Sequence, residues 1–212
     1  MRTINKDLWN RKFQFEKFSA FNSPFFNICA DVDVTAFYAY VKAQNISFFQ
    51  ASYFLVMKTI NVLEPFRYRI RNGEIVVLDE VKGSCPILNE DDTFTYCYFE
   101  YHPDFPSFEK HAQEVLQEHR NGEGPTHRPA RDDIFHSSII PWVSFNSFEH
   151  AKIIGGQDTV PKVVLGKYFS EGDKMKMPLS VSGHHALMDG LHVGLYFKRF
   201  QEYLAEPEKS LS

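Results

Sequence analysis

The pattern of apolar and polar positions changes repeatedly between the helical and the strand period along the chain. Apolar side chains recur at helical spacing through residues 48–63, which predicts a mostly buried helix that Ser47 caps. A run of aromatic and branched residues over 25–32 predicts a strand. Asn72-Gly73 joins two alternating runs, so we expect a β-hairpin there.

The remaining elements follow from the same two periods. Further helices are predicted over residues 7–19, 34–43, 106–120 and from Asp189 to about 204, and further strands over 93–101, 139–145, 162–169 and 174–182. Trp9, Phe13 and Phe18 are expected on one side of the first of these helices. Residues 121–133 are rich in Gly, Pro and charged side chains and predict a surface loop.

The order of these elements favours an α/β fold. Strands and helices are mixed without regular alternation, which is typical of a two-layer sandwich in which helices cover one large mixed β-sheet. There is no internal repeat and no linker long enough to divide the chain, so we expect a single domain over residues 1–212. The 21 Phe and 10 Tyr suit a large core and aromatic-lined pockets.

Charge and cysteine usage narrow the class of protein. The net charge is -4 and no block of Lys or Arg occurs, so no basic surface for nucleic acid is expected. No apolar run reaches the roughly 18 residues that a membrane span needs. Cys29, Cys85 and Cys97 lack the spacing of a metal site and are typical of reduced thiols. Charged residues among the first eleven argue against a signal peptide. We therefore expect a cytoplasmic protein without a nucleic-acid or membrane partner.

Candidate chemistry is concentrated in the stretch from His184 to Gly190. The two adjacent histidines, His184 and His185, come at the end of a predicted strand, and Asp189 can cap the helix that follows. A rigid element can hold a side chain over a pocket at such a point. Imidazole is the side chain best suited to take a proton near neutral pH, so the pair provides a candidate general base.

A metal site is the alternative interpretation of the same stretch. His185 and Asp189 lie four residues apart, and His184 and His192 are close to them. These side chains would have to converge, whereas adjacent residues on a strand point to opposite faces. The geometry therefore predicts no metal, although a metal-binding or non-enzymatic protein stays open.

Several segments together resemble the chloramphenicol acetyltransferase family over roughly residues 4–205. The family signature His-His-x-x-x-Asp-Gly followed by His is matched by His184, His185, Asp189, Gly190 and His192. The other matching segments, in chain order, are Trp9-x-Arg11-Lys12, Phe66-Arg67 with Gly73-Glu74-Ile75-Val76, Thr93-Phe94-Thr95, Pro141-Trp142-Val143-x-Phe145-x-Ser147-Phe148 and Gly166-Lys167-Tyr168-x-x-Glu171-Gly172-Asp173-Lys174.

The resemblance implies a CoA-dependent O-acetyltransferase that acts on chloramphenicol. It implies His185 as the general base and Ser138, three residues before Pro141, as the donor that stabilises the oxyanion. It also implies that Asp189 is a structural carboxylate paired with Arg11. Chemically, a positioned base contributes about 10²–10⁴-fold and one oxyanion donor on the order of 3 kcal/mol.

Binding residues and assembly also follow from the resemblance. Acetyl-CoA is the implied co-substrate, with Tyr168 stacking on its adenine and Lys167 beside it. Phe94 matches an aromatic residue of the acceptor pocket, and Tyr96 and Phe18 are expected as its neighbours. The family implies a homotrimer in which the histidine of one subunit faces a wall of the next.

Three departures from the family pattern leave the acceptor open. Ser182 replaces a glutamine, Leu191 replaces Phe or Tyr, and residues 149–153 differ from the usual segment. A related acyltransferase with another small hydroxyl or thiol acceptor is therefore the alternative. This alternative includes the dihydrolipoamide acyltransferase core, which usually follows a lipoyl domain and a linker that we do not find among these 212 residues.

Overall fold

The computed structural model describes residues 1–122, 131–151 and 153–212. Its strands are β1 (Arg2–Thr3), β2 (Phe25–Asp33), β3 (Tyr68–Arg71), β4 (Glu74–Val77), β5 (Lys82–Leu88), β6 (Phe94–Phe99), β7 (Ile134–Ile140), β8 (Lys162–Gly166), β9 (Phe169–Glu171) and β10 (Lys174–His184). Its α-helices are α1 (Lys12–Ser19), α2 (Thr35–Ala43), α3 (Phe48–Val62), α4 (Phe105–Arg120), α5 (Gly190–Ala205) and α6 (Pro207–Ser210). Short 3₁₀ turns cover Lys6–Leu8 and Glu64–Arg67. No helix within the described ranges is long and apolar enough to cross a membrane.

The strands form one large mixed sheet and one small antiparallel sheet. The large sheet has the order β2-β10-β8-β7-β5-β6, with β9 paired to β10, and the small sheet has the order β1-β4-β3. β7 runs parallel to both β5 and β8, whereas the other neighbours are antiparallel. This mixed α/β architecture confirms the predicted fold class.

Helices cover one face of the large sheet. The main core contains Phe54 of α3, Ala112 of α4 and Phe200 of α5 together with Val163 of β8 and Leu179 of β10. Because successive strand residues alternate between faces, the polar residues that alternate with these apolar ones lie on the opposite face, away from the helices. We call this side the second face.

Local capping signals predict most helix starts correctly. The Ser47 side chain accepts a hydrogen bond from the Gln50 N–H at 3.3 Å, and α3 follows at Phe48 as expected. The Asp189 side chain accepts from the Leu191 N–H at 3.1 Å at the start of α5. The hairpin at Asn72-Gly73 is also confirmed, with both residues at positive φ, 50° and 76°.

The first predicted helix is wrong in extent. A 3₁₀ turn ends at Leu8, Trp9 is extended, and α1 begins only at Lys12 with Arg11 as its N-cap residue. The break lets the Trp9 ring pack edge-on against Tyr68, 5.8 Å away. Phe13 is 68% exposed, so it does not share one buried side with Trp9 and Phe18 as expected.

The predicted strand over 139–145 is also misplaced. β7 spans Ile134–Ile140 and ends before Pro141, because proline has no N–H to donate to a neighbouring strand. The predicted strand over 162–169 is divided into β8 and β9, and β5 was not predicted at all. Residues 123–130 of the predicted loop 121–133 lie outside the described residues.

Candidate active site

The turn that follows β10 holds the two histidines. The backbone carbonyl of His184 accepts from the N–H groups of Leu187 and Met188 at 2.9 and 3.0 Å, which reverses the chain directly after the strand. Gly183 allows this close reversal, since a Cβ there would collide with the Met188 thioether. The histidines are thus attached to the longest strand of the sheet.

His185 is held between aromatic rings. Its ring stacks on Phe18 with centroids 3.9 Å apart and planes 3° apart, and the Phe26 ring lies 4.7 Å away. Its backbone N–H donates to the Pro24 carbonyl at 2.8 Å. Its Nδ1 is buried and has no hydrogen-bond partner among the described residues. The imidazole is therefore fixed in position, and its Nδ1 is not engaged in a hydrogen bond with any described group.

His184 has a different environment from its neighbour. Its residue is 6% exposed and its ring contacts Phe25 edge-on, with centroids 5.5 Å apart. Burial lowers the pKa of His184 from 6.5 to about 4, so this imidazole is neutral at pH 7. The two histidines contact different aromatic residues, in line with the expectation that they point in different directions.

Arg11 connects the start of α1 to this turn. The Arg11 Nη1 donates to Asp189 Oδ2, and its Nη2 lies 3.5 Å from the His185 carbonyl oxygen. Burial acts to raise the pKa of Asp189, but the hydrogen bond from Arg11 and the charges of His192 and Arg11 outweigh it and leave that pKa below its usual value. The predicted contact between Arg11 and Asp189 is therefore present.

His192 completes the cap of α5. Its Nδ1 accepts the backbone N–H of Asp189 at 3.0 Å and lies 2.9 Å from Asp189 Oδ1. This is a capping box in which an imidazole takes the place of the usual Glu or Gln. Within the described residues, no group of three or more His, Cys, Asp or Glu side chains could hold a metal ion.

Ser138 lies on the second face, at a distance from the histidines of the same chain. It is paired in register with Val164 on β8, and Val164 with Ser180 on β10. His184 is therefore two strands and four residues away, which puts the two backbones about 16 Å apart. One chain does not bring Ser138 and His185 together.

A cavity of about 620 Å³ adjoins the histidine turn on the second face. Its lining consists of Phe25, Phe26, Asn27, Cys29, Asn146, Ser147, Phe148, Glu149, His150, Lys162 and Ser182. Phe26 lies in this wall and also contacts the His185 ring, although neither histidine is itself among the lining residues. Much of its wall is polar. Among the candidate site residues predicted from sequence, none lines this cavity, and Ser182 entered the prediction only as a departure from the family pattern.

Tyr168 and Lys167 line a second, smaller cavity of about 280 Å³. The Tyr168 ring packs between Tyr38 and Phe48, at 5.1 Å from each. The Lys167 backbone N–H donates to the Val143 carbonyl at 3.0 Å. The structure thus brings these two residues together at the end of β8.

The predicted neighbourhood of Phe94, Tyr96 and Phe18 is only half present in one chain. Phe94 and Tyr96 contact each other edge-on at 5.5 Å on β6. Phe18 instead stacks on His185 beside β2, at the opposite edge of the large sheet. Phe94 and Phe18 are therefore far apart within one chain, because strand order, not position along the chain, sets which residues share an edge.

Lys162, His136 and Asn27 are polar residues of the second face that the sequence analysis did not single out. Asn27 and His136 each follow two apolar residues at the start of a strand, and this change from apolar to polar is a signal that could have identified them. Lys162 is the first residue of β8 and has no such signal.

The sequence is similar to a known family along nearly its whole length. A family model described as chloramphenicol acetyltransferase matches residues 1–201. A chloramphenicol acetyltransferase of Klebsiella sp is 33% identical over 208 residues, which cover 96% of this chain and 94% of the relative. One of Clostridium perfringens is 29% identical over 204 residues, covering 95% of this chain and 97% of the relative.

Solved structures show the same similarity. A chloramphenicol acetyltransferase superposes with a TM-score of 0.84 at 25% identity, covering 96% of this chain and 99% of the other. A dihydrolipoamide acetyltransferase of Azotobacter vinelandii superposes with a TM-score of 0.71 at 15% identity, covering 95% and 89%. The second of these similarities is one of fold alone.

Proposed function

Because this chain belongs to the chloramphenicol acetyltransferase family and is an acyltransferase, we propose that it transfers an acetyl group from acetyl-CoA to a hydroxyl of chloramphenicol. The observation that carries the proposal is the His185 imidazole, which stacks on Phe18 and contacts Phe26, a residue in the wall of the 620 Å³ cavity. Such an acetylation would inactivate the antibiotic and thereby confer resistance to it. We take the chain to be one acetyltransferase domain over residues 1–212.

His185 acts as general base. The imidazole accepts the proton of the acceptor hydroxyl while the hydroxyl oxygen attacks the thioester carbonyl carbon. The C–O bond forms and the carbonyl oxygen becomes an oxyanion. When this intermediate collapses, the C–S bond breaks and the imidazolium returns its proton to the CoA thiolate. The neutral His184 is buried against Phe25 and takes no part in the transfer.

Ser138 stabilises the oxyanion by donating its hydroxyl hydrogen. The separation of about 16 Å within one chain means that the Ser138 of a second subunit must meet His185. A homotrimer with sites between subunits provides this arrangement. Exposed apolar side chains that could form the contact include Trp142 (63% exposed), Ile153 (88%) and Ile154 (76%).

Asp189 and Arg11 act by positioning. Their ion pair and the contact of Arg11 with the His185 carbonyl oxygen hold the turn that carries the base. Acetyl-CoA is bound at the smaller cavity, where Tyr168 stacks on the adenine and Lys167 lies beside it. We place the reaction in the cytoplasm, where acetyl-CoA is supplied and the three free cysteines stay reduced.

A different small acceptor is the second candidate, and one observation favours it. The wall of the larger cavity includes Lys162, Asn27 and Ser182 besides Phe25 and Phe26. When an acceptor displaces water from the polar groups of a wall, those groups lose hydrogen bonds. An acceptor with polar groups of its own can replace these hydrogen bonds and is therefore preferred. Acetyl transfer by His185 is the same in both cases.

A thiol-release assay with acetyl-CoA and chloramphenicol tests the proposal. The wild type should release CoA thiol, and His185→Ala should lower turnover by several orders of magnitude while acetyl-CoA still binds, since the base is used in the transition state. His184→Ala serves as the control and should act mainly through packing. Near-normal turnover of His185→Ala with any acceptor would contradict the mechanism.

A further inference from the structure

His136 lies two residues before Ser138 on β7 and shares its face of the sheet. Phe135 belongs to the main core, so the alternation along the strand turns both His136 and Ser138 to the second face. Their backbones are about 7 Å apart, because a strand rises by about 3.3 Å per residue. A molecule of ordinary ligand size in front of the Ser138 hydroxyl is therefore within reach of the His136 side chain.

The described residues form no hydrogen bond with the His136 imidazole. Its Nδ1 is buried and has no partner, whereas its Nε2 remains accessible in this half-buried residue. Because no partner fixes which ring nitrogen carries the proton, the accessible Nε2 can either donate a hydrogen bond or accept one. His136 thus presents an unused polar group on the second face.

Lys162 lies beside His136 but is engaged within its own chain. The two residues are paired in register across β7 and β8. The Lys162 Nζ donates to Asp158 Oδ2 at 2.7 Å and to the Val160 carbonyl at 3.2 Å, and it lies 3.8 Å from the centre of the Phe25 ring. Since Asp158 balances the charge of this ammonium, the surroundings of His136 suit a neutral polar group better than an anion.

The proposed site between subunits puts His136 beside the acceptor. The reacting hydroxyl must lie between Ser138 and His185 of the partner subunit, and His136 comes from the same subunit as Ser138. The 620 Å³ cavity extends on the His136 side of Ser138, because Lys162 and Ser182, which continue the row of His136 on β8 and β10, line this cavity. There is therefore space for the rest of an acceptor where the imidazole is found.

We infer that His136 determines acceptor specificity by forming a hydrogen bond with a neutral polar group of the acceptor, in the site to which its own subunit supplies Ser138. The inference rests on the proposed acetyl transfer between subunits. It narrows the acceptor class to hydroxy compounds that carry a second, neutral hydrogen-bonding group several ångströms from the reacting hydroxyl. Chloramphenicol belongs to this class, since it carries an amide, a second hydroxyl and a nitro group besides its primary hydroxyl.

A matched pair of acceptors tests the inference. Phenethyl alcohol and its para-carboxamide have the same primary hydroxyl, and only the carboxamide carries a neutral hydrogen-bonding group at the far end of the ring. The wild type should have the higher kcat/KM for the carboxamide. His136→Phe should lower the ratio of the two values about 3- to 10-fold, as expected for the loss of one neutral hydrogen bond.

Three further variants make the result specific to this ring. His136→Gln keeps a donor and an acceptor and should keep much of the preference. His136→Ala needs no additional space and gives the same measurement should the Phe variant fail to fold. His119→Phe is the control, because α4 packs on the opposite side of the sheet, and it should leave the ratio unchanged. An unchanged ratio in His136→Phe or His136→Ala overturns the inference.

Mixed trimers test which subunit supplies the imidazole. His136→Phe chains are mixed with a large excess of His185→Ala chains. Each active site then takes its base from a His136→Phe chain and nearly always takes Ser138 from a His185→Ala chain, which retains His136. The recovered activity should therefore have the acceptor ratio of the wild type. The lower ratio of His136→Phe, or no recovered activity, would overturn the inference.

Chloramphenicol in the same assay separates the two proposals. If the protein acetylates chloramphenicol but does not prefer the carboxamide to phenethyl alcohol, or does not acetylate the carboxamide, the inference is overturned and the proposed function stands. If it acetylates none of the three acceptors, the proposed function fails, and the inference fails with it.

Discussion

The adjacent histidines at the end of β10 lie in different environments. His184 is buried against Phe25, whereas His185 is stacked between Phe18 and Phe26 beside a cavity. A proton added to His184 would bring a charge into a site that is largely shielded from water, which is why its pKa is lowered. The difference arises because β10 ends at His184, so that the two adjacent side chains point in different directions.

The buried His184 predicts a loss of stability in acid. Its folded-state pKa of about 4 lies below the unfolded value of 6.5, so between these values the unfolded chain binds a proton that the native chain does not. The free energy of unfolding should therefore fall by roughly 3 kcal/mol as the pH is lowered from 6.5 to 4. Urea titrations across this range should show a shallower fall for His184→Gln, and an unchanged slope would contradict the prediction.

Ser138 and its neighbour Ser137 form a natural pair of variant and control. Ser137 points to the other face, is buried, and donates to the Ser84 carbonyl at 2.9 Å. Ser138→Ala should lower kcat on the order of 10²-fold with little change in stability, as expected for one oxyanion donor. Ser137→Ala should lower the melting temperature but leave kcat nearly unchanged. The reverse pattern would show that Ser138 does not stabilise the oxyanion.

Two helices meet at the ion pair between Arg11 and Asp189. Arg11 is the N-cap residue of α1 and Asp189 that of α5, and the sequence separates them by 178 positions. Their contact attaches α1, with its Phe18 ring, to the turn that carries His185. The position of the proposed base therefore depends on two helix termini as well as on its strand.

A double-mutant cycle measures this connection. Arg11→Ala and Asp189→Ala should each lower stability and activity, because each leaves a charge without its partner. The double variant should lose less than the sum, by a coupling energy on the order of 1 kcal/mol, since Asp189 is one-third exposed and partly screened. Additive losses in urea denaturation would show that the two side chains act independently.

At the scale of the whole molecule, the large sheet separates the proposed catalytic groups. β10, which carries the histidines, and β7, which carries Ser138, are two strands apart, and Phe94 and Tyr96 lie on the far edge at β6. A complete site on one chain would need contacts that this order of strands prevents. We therefore expect the proposed site to be completed by assembly with other copies of the chain.

Subunit mixing tests the assembly directly. If each site takes His185 from one subunit and Ser138 from the next, every mixed trimer of His185→Ala and Ser138→Ala chains has one intact site in three. Random mixing should restore about a quarter of wild-type activity, although each variant alone is nearly inactive. Light scattering should give a mass of about three 24.7 kDa chains. If mixing restored no activity, or if a monomer were active, a site shared between two subunits would be refuted.

Local signals predicted the parts of the fold that depend on local contacts. Helix α3 and its Ser47 cap, the Asn72-Gly73 hairpin and the Asp189 cap all rest on hydrogen bonds between residues a few positions apart. The strand at 139–145 was misplaced because an apolar run does not show which of its residues pair. Pairing with the parallel neighbours β5 and β8 sets the extent of β7 from Ile134, and Pro141 then ends it.

The sequence by itself determined the fold class, the family and the motif at His184 and His185, since those depend on residue types and short spacings. Only the tertiary structure decided that Asn27, Lys162 and Ser182 meet in one row, and that Ser138 is far from His185 in a single chain. Strand pairing joins residues more than a hundred positions apart. Its register is set by the packing of the whole sheet against the helices, and no local pattern along the chain contains that information.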